Sequence, residues 1–304
     1  MNIPPNTISA IPSAYVCPVT RQLLYETDSG FVRSDGFQYP HVNGWNGVRI
    51  PDFLQSNELG EPGKKSIDMY NQSASVGMYR NFLSWLFETF AEDETNFRSG
   101  LLKKTKVKPG DRVLIIGCGL GDDVPPLLQI MDNQGEVYAQ DLSAEMVMAA
   151  SLFVLPSHSD SAINFSISNA SRLPFADKFF DAAFHFGGIN LFDDVQLAIH
   201  EMERVVKSGG RVVFGDEGVA PWLRNAEYGR IAINNNSLWR SEAPINLLPE
   251  KAIDVELTWV LGNCFYLISF EVSGTGPYMN MDVSHKSPRG GTMRTRYLET
   301  LDKS

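Results

Sequence analysis

The chain predicts an α/β fold built on a mostly parallel sheet, and three observations carry that prediction. The run VLII at 113–116 reads as a buried strand, and Gly117, Gly119 and Gly121 follow it at alternate positions. A second apolar stretch at 137–139 leads into Asp141, about 20 residues past the glycines. From there strand-like and helix-like segments alternate, as a parallel sheet with helical crossovers requires. Glycines in such a turn let the backbone bend tightly and let a ligand approach where a Cβ would block it. An acid at the end of the second strand is placed to hold both hydroxyls of a ribose. Together these features describe a site for a nucleoside cofactor.

The spacing narrows the cofactor. The pattern is G-x-G-x-G followed by Asp122 and Asp123, whereas a dinucleotide fingerprint reads G-x-G-x-x-G. Two carboxylates at a helix start disfavour a pyrophosphate and tolerate a positive centre. S-adenosylmethionine has a sulfonium, an ammonium and no phosphate. NAD fits less well.

Four further segments complete the succession. They are the stretch 168–181 (SNASRLPFADKFFD), the apolar run 182–186, the helix-like stretch 191–206 and the stretch 207–216 (KSGGRVVFGD). In their order and distances, residues 65–272 resemble the class I S-adenosylmethionine-dependent methyltransferases, close in style to the ubiquinone/menaquinone-biosynthesis and arsenite-type enzymes. The resemblance implies a Rossmann-like, seven-stranded methyltransferase sheet, mostly parallel with one antiparallel strand. It places Gly117, Cys118, Gly119 and Gly121 against the methionine part of the cofactor and gives the ribose to Asp141. Leu142 would lie on the adenine, and Asn169 with Ala170 would read its edge. The family's usual acid in the glycine-loop strand is Ile115 here, so Asp122, Asp123 or an N-terminal residue is expected to anchor the cofactor's amino group. At the adenine edge the family more often has Asp than Asn, and an amide can still accept from the exocyclic amine.

Around this core the chain divides further. Residues 1–13 are polar and proline-punctuated, and read as an extension. Residues 14–56 form a small β-rich module with strand-like runs at 22–26, 31–33, 37–39 and 48–50. This module resembles the zinc-ribbon-like unit that precedes some methyltransferases. Thr20 stands at its second ligand position and a later Cys pair is missing, so a metal-free remnant is expected. Residues 67–90 read as a long amphipathic helical region, with Met69, Ala74, Met78, Phe82, Trp85, Leu86 and Phe90 available for one face. By resemblance this region covers the cofactor, and Tyr70 and Tyr79 reach the site from it. Residues 254–272 read as a hairpin turning on Gly262-Asn263. The insertion 216–248 carries Trp222, Tyr228 and Trp239 where the family builds its substrate lid. The tail 273–304 is basic, with His285, Lys286, Arg289, Arg294 and Arg296. Arg294 and its neighbours are candidates to bind an acidic group on the substrate. Alternatively, the tail crosses to another subunit as a homodimer contact or lies on the acidic surface.

The formal charge of −10 argues against nucleic acid, which needs a basic face. Three scattered cysteines suggest a reducing compartment. Neither a secretory signal nor an apolar run of about 20 residues is legible, so a cytoplasmic protein without a membrane span is expected. A small-molecule substrate remains the natural partner.

Methyl transfer from a sulfonium is an in-line displacement that alignment and a dry pocket accelerate. Where the acceptor carries a proton, a base helps. His185 ends the fourth strand, at the carboxyl edge where ligands bind, so it borders the cofactor and is the first candidate. Asp216 and Glu217 follow the fifth strand and open onto the same crevice. Asp193 and Asp194 favour the start of the next helix rather than a metal. The activity expected is methylation of a small, partly aromatic or apolar metabolite at oxygen or nitrogen. The alternatives are a binding or regulatory subunit, or electrostatic use of the sulfonium for cyclisation or decarboxylation.

Overall fold

Short runs in the N-terminal segment close into hairpins. In the computed structural model, which describes residues 14–55 and 59–301, four strands pair antiparallel in chain order. They are β1 (Leu24–Thr27), β2 (Gly30–Arg33), β3 (Gln38–Asn43) and β4 (Arg49–Pro51). Gly30 has φ +145°, and a Cβ there would run into the carbonyl oxygen of Tyr39. Tyr15, Phe31, Tyr39 and Phe53 form an aromatic cluster on this sheet. Tyr15 carries that cluster onto Tyr138 and Phe175, with ring centroids at 6.3 and 5.3 Å. The Phe53 N–H also donates to the Ile167 carbonyl at 2.9 Å, so the module is bonded to the main domain as well as packed on it. The zinc-ribbon likeness gains no support. Cys17 is buried, with its thiol 3.1 Å from the Tyr39 hydroxyl and accepting from the Thr20 N–H at 3.3 Å. The expected extension 1–13 and residue 56 lie outside the described residues, as do 302–304.

The helical region read as continuous over 67–90 is two helices, α1 (Glu61–Tyr70) and α2 (Ser75–Phe90). The break follows from competing hydrogen bonds. Asn71 leaves helical geometry, its side-chain oxygen accepts from the Glu145 N–H at 3.1 Å, and the Ser75 hydroxyl donates to the Met69 carbonyl at 2.8 Å. The break also changes which face is buried. Ser75, Leu83, Leu86 and Phe87 of α2 pack inward, while Met69, Met78 and Trp85 are exposed. A third helix, α3 (Glu94–Leu102), is capped by the Asp93 carboxylate, which accepts from the Asn96 N–H.

The main sheet contains β5 (Arg112–Ile116), β6 (Glu136–Asp141), β7 (Ala162–Ile167), β8 (Phe180–Phe186), β9 (Val206–Glu217), β10 (Ala252–Val260) and β11 (Phe265–Val272). Its order is β10-β11-β9-β8-β5-β6-β7. Only β11 runs against its neighbours, so the seven-stranded, mostly parallel sheet is present. Gly262 and Asn263 both have φ 61°, and the Cys264 N–H closes on the Leu261 carbonyl at 3.0 Å, giving the two-residue turn. Residues 207–210 are a bulge inside β9 rather than a loop before it, because the register jumps from Phe180↔Val206 to Ala182↔Arg211.

Helices α4 (Val124–Ile130), α5 (Ala144–Val154) and α6 (Val195–Val205) follow strands of this sheet. Helix α7 (Glu227–Asn235) belongs to the insertion and α8 (Met293–Leu301) to the tail. Among the described residues no helix is long and apolar enough to cross a membrane. The order of the strands reverses between β5 and β8, and a crevice opens at their carboxyl ends.

Candidate active site

The glycine loop leaves β5 with φ 61° at Gly117, 52° at Gly119 and 81° at Gly121, a region that side chains resist. The three do different work. A Cβ on Gly117 would press the His185 imidazole at 3.2 Å, and one on Gly119 would meet the Tyr79 hydroxyl at 3.5 Å. Gly121 instead lets the loop close on α5, where a Cβ would come within 2.8 Å of Val154. Only Gly117 and Gly119 line the cavity that opens here; Gly121 and the buried Cys118 do not. Their expected contact with the cofactor becomes a supporting one.

Asp141 closes β6 beside this loop. One carboxylate oxygen accepts from the Gly119 N–H at 2.9 Å and the other from the Ser143 N–H at 2.9 Å. Burial pushes its carboxyl above the usual range, against the pull of those N–H groups. The acid thus holds the loop and keeps lone pairs toward the cavity.

The cavity measures about 420 Å³ and spans the carboxyl ends of β5, β6, β8 and β9. Leu142, Asn169 and Ala170 line one end. The Asn169 amide donates to Asp193 at 3.0 Å, and the other Asp193 oxygen accepts from the Gly63 N–H at 2.6 Å. Asp193 therefore fastens α1 across the cleft, while Asp194 caps α6 by accepting from the Leu197 N–H. Tyr70 and Tyr79 both face the cavity from α1 and α2.

His185 is fully buried. Its Nδ1 lies 2.8 Å from the Ile116 carbonyl, which assigns the ring proton there, and Nε2 has no hydrogen-bond partner among the described residues. Burial lowers its pKa, opposing the Asp216 carboxylate, so the ring is a neutral acceptor. Asp216 accepts from the Gly188 and Asn190 N–H groups at 2.9 and 2.7 Å and so shapes the loop after β8. Glu217, the next residue, lines the same cavity. Its Oε1 accepts from the Asn236 amide at 3.2 Å.

Burial, then the neighbouring Asp216, pushes the Glu217 carboxyl from 4.5 up to about 7. The folded chain therefore holds this proton to higher pH than the unfolded one. The corresponding stability is complete below about pH 4.5 and is lost as pH rises through 7. Between about pH 5 and 8 the wild type is expected to lose about 1–3 kcal/mol more than Glu217→Gln. Urea unfolding at both pH values checks this, and parallel profiles would assign the slope to another group.

The remaining wall is apolar, and of its residues the sequence pointed only to Phe82 and Leu86, as members of an amphipathic face. Phe82, Leu83, Leu86 and Phe87 come from α2, Phe97 from α3, Phe186 from β8 and Phe265 from β11. Three residues expected in the pocket are elsewhere. Trp222 is 63% exposed and packs edge-on to Trp259. Tyr228 is exposed and donates to the Gly262 carbonyl at 2.8 Å, and Trp239 is buried behind the wall against Phe90 and Phe265. From the insertion it is Asn236 and Leu238 that reach the cavity. Arg294 lies in the tail, paired with Asp282 at 2.9 Å, and Arg289 pairs with Glu299 there too, so neither lines the cavity.

Asp122 and Asp123 also differ from expectation. Arg80 binds Asp122 at 2.6 Å and Arg98 binds Asp123 at 2.9 Å, so both charges are neutralised and neither carboxylate lines the cavity. Ile115 faces the core with Val113 and Phe184. The cradle still fits S-adenosylmethionine better than a phosphate carrier. Arg98, the one cation on the cavity wall among the described residues, is committed to Glu94 and Asp123, and the other charged groups described there are acids.

Comparison with known proteins agrees with this geometry. Residues 114–214 match the methyltransferase domain family. A demethylmenaquinone methyltransferase of Alkalihalophilus pseudofirmus is 33% identical over 117 residues, covering 38% of this chain and 49% of the relative. A ubiquinone/menaquinone biosynthesis C-methyltransferase of Xanthomonas oryzae pv. oryzae is 30% identical over 162 residues, covering 53% and 58%. The chain spans about half the length of these curated relatives. Among solved structures, the Haemonchus contortus phosphoethanolamine N-methyltransferase 2 with phosphomonomethylethanolamine and S-adenosylhomocysteine superposes with a TM-score of 0.54 at 14% identity. It covers 83% of this chain and 71% of that one.

Proposed function

Since the chain carries a class I S-adenosylmethionine-dependent methyltransferase domain, we propose that it methylates oxygen or nitrogen of a small, apolar-bodied metabolite. The observation that carries this reading is the continuity of the cavity. One stretch of wall is the Gly117–Gly119–Asp141 cradle, the rest is aromatic, and the His185 imidazole with its unpartnered Nε2 borders both. S-adenosylmethionine supplies an electrophilic methyl group on a positive sulfur. Asp141 holds the ribose, the glycine loop admits the methionine part, and the phenylalanines exclude water from the line of attack. For an acceptor hydroxyl, His185 Nε2 is free to take the proton. The names of two relatives favour a second reading, carbon methylation of a quinone-like ring, for which the aromatic wall is also suited.

Calorimetric titration with S-adenosylhomocysteine tests the cofactor half of the proposal, with NAD as control. Micromolar binding of the first and none of the second is expected; failure to bind S-adenosylhomocysteine overturns the reading. For the catalytic half, His185→Ala is expected to lower turnover by about 10²-fold or more while cofactor affinity stays within about twofold. An unaltered rate would return His185 to packing.

A further inference from the structure

The charged lining of the cavity is one-sided, and one member of it has neither a backbone donor nor a counter-charge among the described residues. Asp141, Asp193 and Asp216 each accept two hydrogen bonds from N–H groups of the protein. Glu217 accepts only from side chains, the Asn236 amide at 3.2 Å and the Trp239 indole N–H directed at it, and no cation pairs with it among the described residues. The groups that face it are Asp216 on its own strand, Tyr70 from α1, Tyr266 from β11 and the Trp239 indole. None of them is positive. Burial and Asp216 already push this carboxyl up to about 7, the position of an acid kept in a dry site without its counter-charge. Phe82, Phe186 and Phe265 line the same cavity, and aromatic faces attract cations. An acidic acceptor is excluded by the same arrangement, since Arg98 is committed to Glu94 and Asp123.

We propose that the acceptor is an amine on an apolar, ring-bearing body, which enters as its ammonium and is bound and deprotonated by Glu217. The assignment rests on the methyl-transfer reading and narrows it to nitrogen. The ammonium N–H donates to the carboxylate, and its proton passes to Glu217, leaving a neutral amine. The nitrogen lone pair then forms a bond to the methyl carbon as the carbon–sulfur bond breaks, and that electron pair stays on sulfur as a thioether. The product is a methylated ammonium, and Glu217 returns its proton to solvent as the product leaves. Asn236, brought in by the insertion, fixes the carboxylate without neutralising it.

The test is titration of the full chain, saturated with S-adenosylhomocysteine, with phenethylamine and tryptamine against the neutral isosteres 2-phenylethanol and tryptophol. At about pH 7.5 the amines are expected to bind about tenfold more tightly than the alcohols. In Glu217→Gln, which keeps the shape and the Asn236 contact, the preference is expected to fall to within about twofold. It should also fade in the wild type below about pH 6, as the carboxylate takes up its proton. Equal binding of alcohols and amines, retention of the preference by the variant, or binding of neither amine overturns the proposal. Affinity for S-adenosylhomocysteine, measured in the same series, is read separately: its absence overturns the parent reading, whereas the amine-to-alcohol ratio decides the role of Glu217.

Discussion

Arg98→Ala is expected to destabilise the fold by about 3–5 kcal/mol, because it strips the counter-charge from a buried carboxylate. Arg98 is 8% exposed and Asp123 7%. The guanidinium donates to Asp123 at 2.9 Å and to Glu94 at 2.8 Å, with Asp122 at 3.9 Å. With Ala in its place, Asp123 would face a low-polarity site beside Asp122 with no cation of its own. The pair also fastens α3 to the turn that follows the glycine loop, so the loss is mechanical as well as electrostatic. The control is the double variant Arg98→Met with Asp123→Asn. It removes both charges and is expected to recover about half of the loss or more. Urea denaturation of the wild type and the two variants gives the comparison; a single-variant loss below about 1 kcal/mol would show that solvent already reaches the pair.

That pair also marks a boundary of what the sequence reveals. Asp122 and Asp123 at a helix start read as a negative field aimed at the ligand, yet each has an arginine, 42 and 25 residues away respectively. Local charge pattern carries no information about such partners, since helix phase and tertiary packing bring them together. The conclusion about the cofactor survives for a different reason. Among the described residues, the acids on the cavity wall are Asp141, Asp193, Asp216 and Glu217, and its one cation is already paired.

The sheet was legible because its signals are local. Buried strands announce themselves as apolar runs, the tight turns as glycine, and the hairpin as Gly262-Asn263 in the left-handed region. The cofactor end shares this property, since Gly117, Gly119 and Asp141 sit where strand ends must place them. The substrate end does not. Counting helical positions continuously from residue 67 selects Phe82 and Leu86, which do line the cavity, but also Met78 and Trp85, which are exposed. The break at residues 71–74 resets the phase, and Leu83 and Phe87 complete the inward face. Trp222 and Tyr228 look like pocket residues by size, but Trp222 packs edge-on against Trp259 of β10 and Tyr228 closes the hairpin turn. At the end of β9 both acids line the cavity, but Asp216 is bonded to the loop after β8 while Glu217 has only side-chain donors, a difference that no local pattern encodes.

The largest functional effect is expected at Asp141. Asp141→Ala should weaken S-adenosylhomocysteine binding by about 1.5–3 kcal/mol, roughly 10- to 150-fold in Kd, through loss of charge-assisted bonds to the ribose. Two structural roles could imitate that loss, because the same carboxylate accepts from the Gly119 and Ser143 N–H groups. The unfolding midpoint without ligand separates them, because it reads the loop bonds alone. In Asp141→Asn the amide oxygen keeps one of the two loop N–H bonds while the NH2 opposes the other, so part of the midpoint is recovered. If the carboxylate binds the hydroxyls directly, affinity stays at the Ala level despite that recovery; if the acid only holds the loop, affinity recovers in step with the midpoint. A pH series gives an independent reading. Burial holds the Asp141 carboxyl above its ordinary range, and ligand binding needs the ionised form. Wild-type affinity should therefore decline on acidification sooner than for an exposed aspartate, and the Ala variant should show no such decline. Unchanged affinity in Asp141→Ala would move the ribose elsewhere in the cavity.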